Sequence, residues 1–258
     1  MSNNPPVSTA TIEQTLRRLA SQFTVRDIMV PVDKLVIAKT PENAYHLIEK
    51  HDDYNLIPIE TEGKITGYIE RNNLELKLIN LDVVVGIGCS IIDIVDVFSE
   101  RQFCFVLGKW GIEGYIHFSD LNHHLVDLPF YILLQAVESH VISLIRSHHE
   151  VDDLHKFESD LHKVFDKKNT NIVKTIVGKF KTNKLNDANR LLLNEMNFDK
   201  MLDFASHFGL LELKDEEIVE LYKVRNSLAH ITERLVQTHD DVKRLVWTTH
   251  QCQKILIS

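Results

Sequence analysis

The sequence predicts two modules of different fold class, an α+β module followed by an all-α helical bundle. Short β-rich runs alternate with helical segments up to about residue 127, and from there the hydrophobic period is that of a helix. The first half also repeats itself, which is typical of small units that pack together as one module. We therefore divide the 258 residues into a leading segment with a short helix (1–23), a duplicated module (24–127) and a bundle (128–258).

Composition is that of an ordinary soluble globular protein, with 44% hydrophobic and 26% charged residues. The net charge of -8 argues against a protein that coats nucleic acid along its whole surface. No apolar run approaches the roughly 20 residues that span a membrane, and the polar N-terminus does not resemble a signal peptide. Three widely spaced cysteines indicate reduced thiols. We expect a cytoplasmic protein without a membrane partner.

The elements of the first half follow from local patterns. Residues 12–22 form an amphipathic pattern that predicts a short helix, with Thr11 and Gln14 placed as a capping box. Runs at 35–38, 55–59 and 64–69 are rich in β-branched residues and predict strands. The segment that starts at Pro41 and Glu42 predicts a helix, because Pro and an acidic residue suit its first turn.

The repeat is visible in three pairs of segments. GYIERNNL from Gly67 returns as GYIHFSDL from Gly114, TPENAYHLI at 40–48 parallels SIIDIVDVF at 90–98, and YNLIPI at 54–59 parallels FCFVLG at 103–108. Each copy is predicted to run strand, helix, strand, strand, helix. A single copy buries little surface, so the two copies should pack against each other.

These segments, in this order, resemble a cystathionine-β-synthase (CBS) domain, and the two copies resemble a CBS pair, or Bateman-type module. The resemblance implies a cleft for an adenosine-type nucleotide as regulatory ligand. It assigns the ribose-binding carboxylate to Asp120 and the family's Ser or Thr position to His117, which departs from the pattern. The other implied nucleotide-binding residues are Thr40, Ile57 and Pro58. In the first copy the matching positions are Glu70 and Asn73, so at most one good nucleotide site is expected.

The second half predicts a bundle of four or five helices. The first helix starts near Asp127 and Pro129 and includes the apolar run after Phe130, and the second covers about 152–181 with a possible break near 168–170. The remaining helices are predicted at 198–208, after Asp215, and at about 239–256. Seven lysines and one acid lie between Lys163 and Lys184. This run is either a solvated helix face or a binding surface for phosphates.

The segment KVRNSLAH (223–230) places Arg225, Asn226 and His230 together late in the bundle. In this context it resembles the motif of the HEPN family (higher eukaryotes and prokaryotes nucleotide-binding), an Arg followed after four to six residues by a His. The other interpretation is that these residues are ordinary polar residues of a half-exposed amphipathic helix and have only a structural role. The family resemblance covers about residues 128–258 and implies a ribonuclease.

The chemistry of these side chains suits RNA cleavage without metal. A His can act as acid or base near neutral pH, an Arg can bind phosphate oxygens with two N–H groups, and Asn226 can orient the His or the phosphate. Five residues at about 100° each place Arg225 and His230 about 140° apart on an ideal helix. Either the helix ends near Ala229 or a second chain completes the site, so we expect a homodimer.

The sequence therefore predicts a metal-independent endoribonuclease, with RNA as substrate, under the control of an adenine nucleotide. The resemblance also implies a role in stress or phage defence. Two alternatives stay open: a non-enzymatic nucleotide sensor whose bundle serves dimerisation or partner binding, and a protein that uses Arg225 and His230 to bind or transfer a nucleotide. No His, Cys or acidic spacing predicts a metal site, and we expect no catalytic cofactor.

Overall fold

The computed structural model describes residues 9–166, 169, 171–184, 191–229 and 234–257, leaving out the side chains of residues 9–13, 17 and 229. The N-terminal elements are, in order, α1 (Thr9–Ala20), β1 (Val30–Pro31), α2 (Pro41–Lys50), β2 (Leu56–Thr61), β3 (Lys64–Glu70), β4 (Asn73–Leu78), β5 (Val84–Gly86), α3 (Ile91–Glu100), β6 (Phe103–Gly108) and β7 (Gly111–His117). The C-terminal elements are α4 (His124–His148), α5 (Leu154–Phe165), α6 (Asn171–Lys184), α7 (Phe198–His207), α8 (Asp215–Ala229) and α9 (His239–Ile257). Because α1 already includes Thr11, the expected capping box at that residue is wrong.

The first copy packs α2 against an antiparallel sheet of order β2-β3-β4. The Thr40 hydroxyl caps α2 by accepting from the Asn43 N–H at 3.2 Å, and Pro41 occupies the first turn. Ala44 and Ile48 of the helix join Ile57, Ile59 and Ile69 of the sheet in one apolar core. The predicted strand at 35–38 is reduced to a single parallel bridge between Ala38 and Ile59.

The helix expected at the end of the first copy is wrong, because this segment forms strand β4. β4 pairs with β3 antiparallel, with an irregular register near Tyr68 and Glu70. Apolar and polar residues alternate in NLELKL, which is the period of a strand and not of a helix. Lys77 stabilises the pairing through an ion pair with Glu70 at 2.9 Å.

The second copy forms a sheet of order β1-β7-β6-β5 and contains helix α3, whose N-cap is Ser90. β5 and β6 are parallel, and β6 and β7 are antiparallel. Aromatic rings join the sheets of the two copies: Tyr68 of β3 contacts Phe105 of β6 at 5.4 Å between centroids, and Phe105 contacts Tyr115 at 5.9 Å. The two copies therefore share a core, as the repeat predicted.

The bundle differs from its prediction at the start of its first helix. α4 begins at His124 rather than near Asp127, and Pro129 lies inside it, where the missing N–H removes one helical hydrogen bond. The segment predicted as a helix at 152–181 with a possible break near 168–170 forms two helices, α5 and α6, on either side of that break. Gly209, with φ of 70°, follows the end of α7 as expected. By length and hydropathy α4 is the one described helix that could cross a membrane, and 44% of its most apolar window is buried.

The described chain divides into two compact units. The helical unit contains α1, residues 130–233 as far as they are described, and the chain from Trp247 onwards. The duplicated unit contains residues 21–129 and also Arg234–Val246, which the sequence placed in the bundle. Val236 explains this difference, because it is buried and its backbone pairs with Asn122 of the duplicated unit.

Candidate functional site

A cavity of about 380 Å³ lies within the duplicated unit, between the two copies. The first copy contributes residues around Lys34 and the segment from Asp53 to Pro58, and the second contributes Tyr115, His117, Ser119 and Asp120. Small-molecule sites occupy about 300–1,000 Å³, so the cavity is large enough for a ligand of modest size.

Asp120 lies on a 3₁₀ turn (Phe118–Asn122) that follows β7 directly. Its Oδ2 accepts from the His117 backbone N–H at 2.8 Å, which fixes the carboxylate at the start of the turn. Within the described chain no hydrogen bond to Oδ1 is recorded, so this oxygen can accept from a ligand. Burial raises the pKa of Asp120, and the hydrogen bond from His117 opposes this shift. The arrangement can receive the two hydroxyl groups of a ribose.

His117 stands at the position that the family resemblance assigned to a Ser or Thr, and it caps the turn that carries Asp120. Its Nδ1 accepts from the Ser119 N–H at 3.2 Å and lies 2.8 Å from the Ser119 hydroxyl. Burial lowers the pKa of His117, so the ring is neutral at pH 7. Because Nδ1 is an acceptor, the proton of the neutral ring is on Nε2, which can donate to a ligand.

The remaining lining of the cavity is mostly apolar and suits a flat aromatic base. Its apolar residues are Val30, Leu35, Val36, Leu56, Ile57, Pro58 and the ring of Tyr115, and its other residues are Lys34, Asp53, Tyr54 and Asn55. Burial, together with the Asp120 charge, raises the pKa of Tyr115, so its phenol stays protonated and can donate a hydrogen bond. Pro58 is tolerated in β2 because β2 is an edge strand, where no ladder N–H is required.

Arg71 holds the loop that leads into this lining, a role that the sequence did not indicate. Its guanidinium donates to the carbonyl oxygens of Tyr54 at 3.1 Å, Ile48 at 2.7 Å and His51 at 2.5 Å. Three bonds from one planar group fix the loop between α2 and β2. No motif in the sequence marks Arg71, since its partners are backbone carbonyls.

The structure brings together four of the five residues assigned to nucleotide binding. Ile57, Pro58, His117 and Asp120 line the same cavity. Thr40 is not among the lining residues, and its hydroxyl caps α2 instead. The corresponding positions of the first copy are occupied differently: Glu70 is paired with Lys77, and Asn73 belongs to strand β4.

The turn that carries Asp120 is tied to the chain that follows the KVRNSLAH segment. The Asn122 side chain donates to the Val236 carbonyl at 2.6 Å and accepts from the Val236 N–H at 2.9 Å. His239 adds a hydrogen bond to the Phe98 carbonyl at 2.9 Å. Val236 is six positions after His230 in the chain.

Two of the three candidate catalytic residues lie near the end of α8, in the helical unit. Arg225 and Asn226 are half-buried in its last described turns, and His230 lies outside the described residues. The Arg225 Nε is buried and, within the described chain, has no hydrogen-bond partner. The convergence of Arg225 and His230 therefore stays a prediction. Among the described residues, no group of three or more His, Cys, Asp or Glu side chains is placed to hold a metal ion.

Solved structures of CBS domains are similar to part of this chain. The CBS domain of a bacterial CNNM/CorC family Mg²⁺ transporter in complex with ATP is 16% identical, with 44% of this chain and 94% of that chain covered and a TM-score of 0.33. The same kind of domain in complex with an inhibitor is 16% identical, with coverage of 46% and 85% and a TM-score of 0.34. No family model matches the chain, and no curated protein matches it. By its duplicated units the N-terminal region resembles a CBS pair, and the C-terminal region is helical.

Proposed function

We propose that the duplicated unit binds an adenosine-type nucleotide in the cavity between its two copies. The observation that carries this proposal is the placement of Asp120 and His117 of the second copy around the same space as Ile57 and Pro58 of the first. A carboxylate oxygen accepts the ribose hydroxyls, and the apolar lining covers the base. The resemblance of the repeated segments to a CBS pair is the reason to test adenine nucleotides first.

The charge of the lining favours a ligand with few phosphates. Among the described residues of the lining, Lys34 is the one lysine or arginine, and the lining also contains Asp53 and Asp120. Because each added phosphate brings negative charge near two carboxylates, we expect adenosine or AMP to bind better than ATP.

Calorimetric titration with adenosine, AMP, ADP, ATP and adenosine-based second messengers tests the proposal. We expect binding of at least one of them, in the order adenosine or AMP before ATP. Absence of binding by all of them would reduce the duplicated unit to a scaffold.

The second proposed function is metal-independent cleavage of single-stranded RNA by the helical unit. A buried Arg225 Nε without a described partner favours this function over a purely structural role, because a buried guanidinium N–H normally has an acceptor. The 2′-oxygen would bond to phosphorus as the bond from phosphorus to the 5′-oxygen breaks. Arg225 would bind the phosphate, Asn226 would orient it or the His, and His230 would remove the 2′-hydroxyl proton or protonate the leaving 5′-oxygen.

Incubation of the purified protein with RNA in EDTA tests the cleavage. Wild type should leave 2′,3′-cyclic phosphate and 5′-hydroxyl ends, and His230→Ala and Arg225→Ala should each lose at least about a hundredfold in rate. If wild type does not cleave with or without nucleotides, and both variants only melt earlier, these residues are structural.

A further inference from the structure

Helix α6 carries positive charge without any acidic residue. Its 14 residues include Lys174, Lys179, Lys181 and Lys184, and no Asp or Glu. The chain as a whole has a net charge of -8, so this helix differs in sign from the rest of the protein. Within the described part of the chain, no ion pair is recorded for Lys174, Lys179 or Lys181. A set of lysines without neutralising partners attracts anions.

The packing of α6 fixes which face is exposed. Val173, Ile176, Val177 and Phe180 are buried and form the apolar stripe of the helix. The four lysines are exposed. Lys174, Gly178 and Lys181 have the spacing i, i+4, i+7 and therefore share one face, with the two lysines about 10 Å apart along the axis.

Gly178 lies between Lys174 and Lys181 on this face and also favours the binding of a ligand there. Glycine disfavours a helix interior relative to alanine, and a Cβ at Gly178 would meet no atom within 4 Å. Packing inside the protein therefore does not require a glycine at this position. A glycine between two lysines leaves the helix backbone open to close approach by a ligand.

A shallow cavity of about 200 Å³ elsewhere on α6 is lined by Lys179 and by none of Lys174, Gly178, Lys181 and Lys184. Its lining includes Asn171, Thr175, Lys179, Asn197 and Lys200. The lining also contains Glu195, which is buried and accepts from the Asn183 side chain at 2.9 Å.

We propose that the lysine face of α6 (Lys174, Gly178, Lys181 and Lys184) binds the phosphate backbone of single-stranded RNA. This proposal rests on RNA being the substrate of the helical unit, but it requires only binding. Lysines supply the sequence-independent part of nucleic-acid affinity, and each phosphate contact contributes about 0.7 to the slope of log affinity against log salt for a single strand.

Binding to a labelled 2′-O-methyl RNA of about sixteen nucleotides tests the proposal, because this RNA cannot be cleaved through its 2′-oxygen. Affinity is measured by fluorescence anisotropy between about 50 and 200 mM KCl. The double variant K174A/K181A should lower the salt slope by about 1.4 and the affinity about tenfold at 0.15 M salt. Gly178→Leu should weaken binding without loss of the folded state, since space is open there.

The matched control is K50A/K64A, which removes two exposed lysines from the duplicated unit and should leave RNA affinity unchanged. Equal losses in both double variants, or no loss in K174A/K181A, would overturn the proposal. Stronger binding to phosphatidylserine vesicles than to RNA, lost in K174A/K181A, would also overturn it and assign the face to anionic lipid. RNA binding in a protein that never cleaves RNA would leave this proposal standing and refute the nuclease.

Discussion

Replacing Asp120 with Asn separates the ribose contact from the capping role of this side chain. In the wild type Oδ2 accepts from the His117 N–H at 2.8 Å, and Oδ1 is left for the ligand. The amide introduced by Asp120→Asn would keep one oxygen for the cap and present an NH₂ group to the ribose, whose hydroxyls then lose a charged acceptor. A hydrogen bond to a charged group contributes about 1.5–3 kcal/mol. We therefore expect nucleotide affinity to fall about 10- to 150-fold.

The assay is calorimetric titration of the nucleotide that the wild type binds best, with thermal melting of both proteins as the check on folding. Asp53→Asn is the matched control, because Asp53 lines the same cavity and loses the same charge. We expect less than about a threefold change in affinity for this control and nearly unchanged melting for Asp120→Asn. Equal effects of the two substitutions would refute the ribose contact and leave only long-range electrostatics.

The same geometry makes three further predictions. Burial raises the pKa of Asp120 above the ordinary 3.8, so Asp120 becomes protonated at a higher pH than an exposed Asp. Calorimetric titrations with adenosine should therefore show affinity that falls as the pH falls through this raised pKa. The pH dependence should be absent in Asp120→Asn. Asn122→Ala removes two hydrogen bonds to the buried backbone of Val236 and should lower the free energy of unfolding by about 1–3 kcal/mol, measured as a lower urea midpoint. An unchanged midpoint would contradict a stabilising role for these two hydrogen bonds. Thr40→Ala should lose about 1 kcal/mol of stability through the cap of α2 and keep nucleotide affinity, whereas a loss of affinity would return Thr40 to the site.

The sequence predicted those features that depend on local pattern or on repetition. The duplication was visible because GYI recurs 47 positions after Gly67, and this repeat located β3, β7 and the turn of Asp120. Strand β4 was missed because the repeat suggested a helix, although the alternation in NLELKL indicated a strand. The capping role of Thr40 was not predicted, because a Thr that caps a helix and a Thr that binds a ligand look the same in a sequence.

Contacts between distant residues could not be predicted. Asn122 and Val236 are 114 positions apart, and their pairing has no periodic signal. Arg71 donates to backbone carbonyl oxygens, which every residue has, so the residue types in the sequence do not indicate its partners. The assignment of Arg234–Val246 to the duplicated unit depends on such contacts and was therefore missed.

Photolabelling with an 8-azidoadenosine nucleotide tests the central claim, which is that the cavity between the two copies holds the nucleotide. Labelled peptides are identified by mass spectrometry, with and without an excess of the unmodified nucleotide. We predict labelling in the segments from Asp53 to Pro58 or from Tyr115 to Asp120, because both line the cavity and each contains a tyrosine. The label should disappear on competition and should be much weaker in Asp120→Asn. Labelling that competes away but maps only to the helical unit would contradict the account.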